Sequence, residues 1–171
     1  MSEFLNTHEH DEGPEQFTSP RVLERWMRSH GTPPGVALDE DDLEEAIRFR
    51  EALRGLLLAN NGLPLVEAAV KTLRGAAADG ELRIEIRADG SAEAVPACES
   101  VGVLYARLLA IVERAQAAGV WERFKACPAD DCLWAFYDES KNRSRTWCSM
   151  EVCGNRAKTR AYRAKRKSAT G

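Results

Sequence analysis

Residues 127–167, CPADDCLWAFYDESKNRSRTWCSMEVCGNRAKTRAYRAKRK, hold two cysteine pairs of equal spacing around an aromatic loop and then run into a basic tail. Four residues separate Cys127 from Cys132, four separate Cys148 from Cys153, and fifteen lie between the pairs. Two knuckles joined by a returning loop make one tetrahedral metal site. Four thiolates satisfy Zn²⁺ and leave no coordination position for a substrate water, so the expected role is structural. Fewer than about 45 residues cannot bury enough apolar surface to fold alone, which is why a metal is needed. A pair of disulfides is the competing reading, disfavoured in a reducing compartment, and an iron–sulfur centre is the competing metal chemistry.

The run Trp147-Cys148-Ser149-Met150, then Cys153-Gly154-Asn155-Arg156, preceded by Phe136, Asp138, Ser140, Asn142 and Arg143, resembles the CGNR zinc finger family. Chains of that family are described as putative stress-induced transcription regulators with a mostly helical N-terminal domain. The resemblance implies Zn²⁺ on Cys127, Cys132, Cys148 and Cys153 and nucleic-acid binding by the finger. Leu133 departs from it where a glycine is common, and Thr146 where a second arginine often stands.

The net charge of −3 conceals two halves. Residues 141–171 carry ten Lys or Arg against Glu151 alone, and residues 1–140 carry fourteen against twenty-six acidic residues. This is the pattern of a basic arm on an acidic body, suited to a polyanion; the alternative is a solvated, fraying terminus. The tail is helix-compatible and sets Arg156, Arg160, Arg163 and Lys167 on one face. Arg143, Arg145, Asn155, Arg156, Lys158, Arg160 and Arg163 are the candidate nucleic-acid contacts, Asn155 being of a type that reads adenine edges or, equally, caps or bonds a backbone carbonyl.

Upstream, the pattern predicts a helical N-terminal domain over 1–120 and a finger with basic helix over 121–171. The fold class is mainly α with one β-hairpin near 81–95. Ser19 and Pro20 open a helix with Val22, Leu23, Trp26 and Met27 inward. Residues 39–60 form the strongest helix, with an acidic first turn, a Glu44–Arg48 pair and a stop at Asn60-Asn61-Gly62. A helix over 65–77 follows, then the alternating Leu82, Ile84 and Ile86, expected to lie on the helices, around an Asp89-Gly90 turn. The last body helix is expected over 96–119, with Cys98 an inert thiol near its start. Trp134, Phe136 and Tyr137 suggest a finger strand with Trp147 on its return; Phe136 and Trp147 are expected in the module's core. His8, Glu9 and His10 lack the helical spacing of a catalytic zinc motif.

No apolar run approaches the length of a membrane span. Without a leader, the chain is expected to be cytoplasmic. Neither paired carboxylates nor a nucleophile with its base appears, so no enzyme is expected. The reading is a zinc-binding regulator that grips duplex DNA, with a homodimer and a small-molecule effector of the body as further partners. The alternative is a ligand-sensing or protein- or RNA-interaction module with a purely structural finger.

Overall fold

The computed structural model describes residues 1–8 and 13–168, the side chains to 166. The elements run α1 Ser2–Leu5, α2 Pro20–Ser29, α3 Glu40–Ala59, α4 Glu67–Asp79, β1 Leu82–Ile86, β2 Ala92–Pro96, α5 Gly102–Ala117, β3 Phe124–Ala126, β4 Ala135–Tyr137 and α6 Asn155–Ser168. No helix among the described residues is long and apolar enough to cross a membrane. Glu9 and His10 lie outside the described residues; the His8 ring faces Glu15 at 3.9 Å.

Helix α3 begins with a complete capping box, Asp39 accepting from the Asp42 N–H and Asp42 from the Asp39 N–H, both at 3.0 Å. Two orphan donors are thereby satisfied where the helix dipole favours acid. The Glu44–Arg48 pair forms at 3.2 Å. The core gathers around α3: Phe49, Leu53 and Leu57 meet Phe4, Leu5 and Phe17 from the N-terminal segment, Leu23 and Met27 from α2, and Leu104 and Tyr105 from α5. Phe4 and Leu5 are fully buried, so the short α1 is a plug rather than a loose end.

Helix α5 starts six residues later than its apolar pattern suggests, because Pro96 still belongs to β2 and pairs with Leu82. Proline is tolerated there because β2 is an edge strand. Gly102 opens α5 where the backbones nearly touch: a Cβ on it would lie 2.5 Å from the Asp79 carbonyl oxygen.

The hairpin itself forms around Asp89-Gly90, with Ile84 opposite Ala94. Its apolar face does not lie on the helices: Leu82, Ile84 and Ile86 are 42, 67 and 70% exposed. The hairpin leans on α5 through β2, and β1 stands outside as a free strand.

The close α4–α5 approach yields a paired prediction. Gly102→Ala forces backbones apart and should cost about 1–3 kcal/mol. Gly75→Ala, in α4 with nothing within 4 Å of the new methyl, should stabilise by about 1 kcal/mol. Urea unfolding midpoints check both.

Candidate metal centre and basic helix

The metal module is built onto the end of α3. Strands β3 and β4 pair antiparallel, Lys125 opposite Phe136, and Cys127 follows directly from β3. The partner of the aromatic strand is therefore the segment before the first knuckle, not the Trp147 return. Three-residue strands have too little periodicity to announce their partner. Phe136 and Trp147 do pack together with Cys127, Cys132, Cys148 and Cys153 in a small core. Trp134 and Tyr137 are about two-fifths exposed, Tyr137 edge-on to Phe124 at 5.0 Å.

The body grips this module with polar side chains. Asn60 donates to the carbonyls of Trp121 and Phe124 at 3.0 and 2.9 Å, and Asn61 to those of Ala126 and Thr146 at 2.9 and 2.7 Å. Asn6 acts as a surrogate strand against β4, donating to the Ala135 carbonyl at 3.0 Å and accepting its N–H at 2.8 Å. Ala126 and Ala135 join the body's own core. The opening run Phe4-Leu5-Asn6-Thr7 resembles that of the family's N-terminal domain and so marks Asn6, but nothing in the sequence names its partner, which lies 129 residues away. Asn60 and Asn61 are legible only as a helix stop.

Leu133 adopts φ +52°, a conformation glycine takes freely and leucine does not. Arg54, 2% exposed, donates to the Leu133 carbonyl at 2.6 Å and so fixes the strained turn from below.

All four sulfurs lie within 4.8 Å of one another, Cys132 to Cys148 at 3.4 Å and Cys148 to Cys153 at 3.6 Å. Sulfurs 2.3 Å from one ion sit about 3.8 Å apart at tetrahedral corners, so the cage is of the right size. Every cysteine is a free thiol. Burial, with Cys127 close by, pushes the Cys132 thiol up to about 11; burial and Cys132 push Cys148 higher still. Cys153 is opposed by the same burial, yet the Arg156 guanidinium at 3.4 Å draws it below the usual thiol range. Thiols that resist ionising one by one are ionised together by a divalent cation. The four residues can thus hold a metal ion. Cys98 is half-buried, lies outside this cluster, and has its thiol pushed up by burial.

Between the knuckles a buried ion pair fixes the loop. Lys125 donates to Asp138 at 2.7 Å, and to the carbonyls of Arg143 and Arg145 at 2.6 and 3.0 Å. Asp138, fully buried, accepts the N–H groups of Ser140 and Arg145 at 2.9 and 3.0 Å. Burial alone would raise its pKa; the Lys125 and Ser140 hydrogen bonds outweigh that and hold it far below the carboxylate range.

The basic residues divide by what they touch. Arg143 pairs with Glu122 at 2.9 Å; Arg145 covers the Phe136 ring at 4.8 Å and donates to the carbonyls of Trp147 and Cys148. A single π-turn, Met150–Gly154, carries Cys153 back to Cys148 and delivers the chain into α6. Asn155 donates to the Glu151 carbonyl at 3.0 Å. Arg156 and Arg160 converge on Asp131 in the first knuckle, at 3.4 and 2.6 Å, and so strap α6 to it. Lys158 and Arg163 are exposed and form no ion pair among the described residues. The Lys167 side chain is outside the described set.

Two family matches cover this architecture. The CGNR zinc finger matches residues 123–166, and the family described as "Putative stress-induced transcription regulator" matches residues 2–120. No curated protein matches the chain.

Two outcomes are expected of the module. Asp138→Asn strands Lys125 in a buried site and should cost about 3–5 kcal/mol. Because the native carboxyl is depressed, its stabilisation is complete above the unfolded pKa of about 3.9 and lost as pH falls below it. The gap between wild type and variant in urea melts should accordingly be flat at neutral pH and close below about pH 4. Chelation, followed by amide hydrogen exchange, should leave β3 and β4 protected and expose residues 148–160; uniform loss of protection would contradict the docking described above.

Proposed function

The chain belongs to the family described as "Putative stress-induced transcription regulator", with a CGNR zinc finger following the family's domain, and on that footing we propose that it is a zinc-binding regulator that grips duplex DNA through α6. The supporting observation is the junction of cage and helix: the π-turn that closes the four-thiol cluster is continuous with a helix carrying Lys158, Arg160, Arg163, Lys165 and Arg166. Zn²⁺ is the ion that suits four closely set thiolates in a closed structural site. Cys127, Cys132, Cys148 and Cys153 would hold it, and its contribution is to lock the two knuckles, and with them α6, in one orientation.

Within the proposal the cations have separate tasks. Arg156 and Arg160 hold the helix on Asp131, Arg143 and Arg145 shape the loop, and Lys158 and Arg163 face outward, as phosphate ligands must. A grip of this kind is electrostatic, needs no vacant metal position and calls for no catalysis.

A second reading has its own support. Helices α3, α4 and α5 enclose a cleft of about 490 Å³ lined by Glu45, Arg48, Lys71, Asp79 and Tyr105. The buried Tyr105 hydroxyl there has no hydrogen-bond partner among the described residues. A polar effector bound in this cleft would make the body a sensor and the finger its output.

The test is binding of metal-loaded protein to duplex DNA as a function of salt. Lys158→Ala and Arg163→Ala should each weaken binding and lower the slope of log K against log salt by about 0.9, while the four-serine variant loses binding. Affinity indifferent to salt, or stronger for single strands or RNA in competition, would count against duplex DNA.

A further inference from the structure

Strand β1 is the outer strand of a two-stranded sheet, and its free edge is unlike the edges proteins usually leave open. Such edges are normally shortened, kinked, covered, or blunted with unpaired charge, because a row of unused N–H and C=O groups recruits another strand. Here the edge is a regular five-residue strand with three large apolar side chains in water, Leu82, Ile84 and Ile86. A lone hairpin is marginal in water, whereas three or more strands with an apolar face are stable.

The register shows which backbone groups are unused. The Arg87 N–H donates to the Ser91 carbonyl, and the Ala97 N–H to the Glu81 carbonyl, so the odd-numbered residues of this strand bond inward to β2. Alternation then turns the N–H and C=O groups of Leu82, Ile84 and Ile86 outward. An antiparallel partner must pair with these three.

Charge decides the partner. The run Glu81-Leu82-Arg83-Ile84-Glu85-Ile86-Arg87 is antisymmetric about Ile84. Laid antiparallel on a second copy of itself with Ile84 opposite Ile84, it sets Arg83 against Glu85 and Glu81 against Arg87, each twice over. A slip to the neighbouring registers that keep the outward residues paired sets Arg83 against Arg83, or Glu85 against Glu85, and like charges directly opposite are unfavourable. Within one chain these charges are only locally neutralised, Arg83 on Glu85 at 2.6 Å and Arg87 on Glu93.

We propose that β1 pairs with β1 of a second copy about a twofold axis at Ile84, joining two hairpins into one four-stranded antiparallel sheet. The contact is isologous: one strand supplies both surfaces, and every charge on it meets its opposite. Leu82 then lies beside Ile86 of the partner and Ile84 beside Ile84, which merges two exposed stripes into one continuous apolar row. The proposal is independent of what α6 grips.

Sedimentation of the full metal-loaded chain over a concentration series tests it. Wild type is expected to dimerise reversibly. Arg83→Glu and Glu85→Arg, each placing two like-charge pairs across the axis, should each raise the dimer dissociation constant at least about tenfold. The double swap carrying both changes restores opposite pairs and should return to within a few-fold of wild type. Both residues are exposed, and matching circular dichroism spectra establish that the variants fold. A chain that stays monomeric overturns the proposal and leaves the edge to a different protein. A dimer that the single reversals leave unchanged, or that the double swap does not restore, overturns it as well.

Discussion

Arg54 sits on α3 with 2% of its surface in water, and each of its three guanidinium nitrogens donates a hydrogen bond. It bonds Glu51 at 2.8 Å, the carbonyl of Leu5 in α1, and the carbonyl of Leu133 at the turn after the second cysteine. One helix, one terminal plug and one metal knuckle thus converge on a single planar fork. Arg50, one turn earlier and equally buried, holds Glu15 by two bonds and also meets Thr7 and Glu51. Burial would drive Glu51 towards its neutral form, but hydrogen bonds from Arg54 and then Arg50 hold it below the carboxylate range. Replacing buried ion pairs with apolar groups is often neutral, so this network contributes position rather than net stability. Removing one member is another matter, because the rest are left desolvated without partners. Any displacement of α3 would be felt at Leu133, where the backbone is already in a conformation leucine resists.

The cysteine cage was legible from spacing because each ligand's identity is its chemistry, and four thiols within one loop-and-return have few other uses. The helices were legible through caps and apolar period: Asp39 and Asp42 name the start of α3 almost without context. What the sequence could not convey was anything carried by one polar side chain across a long separation. Asn6 stands out only by family resemblance and without a role, and Arg54 not at all, until the fold brings Ala135 and Leu133 to them. The hairpin face failed for a different reason. Alternation says that Leu82, Ile84 and Ile86 share a side, and burial by the chain's own helices is only one way to use that side.

The arginines make a similar point about charge. Counting ten cations against one acid gives the formal charge of residues 141–171, and a net charge acts at long range whatever the side chains touch. Counting does not reveal that Arg156 and Arg160 pair with Asp131, or that Arg145 sits over the Phe136 ring. A guanidinium's five donors in a fixed plane find carbonyls and carboxylates wherever a tight loop offers them. Lysine, a flexible point charge, more often remains in solvent. Lys158 accordingly stays exposed to solvent while the nearer arginines stiffen the scaffold behind it.

The two halves of the metal module are anchored by different forces, and this narrows what the ion has to do. On either side of the first knuckle, from Phe124 to Tyr137, the chain is held by β3–β4 pairing, by Asn6, Asn60 and Asn61, and by two alanines in the body's core. From Cys148 onward the anchors described are Arg145 on two carbonyls, Arg156 and Arg160 on one carboxylate, and the packing of Cys148 and Cys153 against Phe136 and Trp147. Exposed or half-exposed ion pairs contribute at most about 1 kcal/mol each, which cannot fix a fourteen-residue helix against rotation. A cation bridging Cys127 and Cys132 to Cys148 and Cys153 would make that connection rigid, because it binds the well-held knuckle to the loose one. The first pair belongs to the body and the second to α6, so metal affinity and the orientation of the basic face are set by the same four atoms.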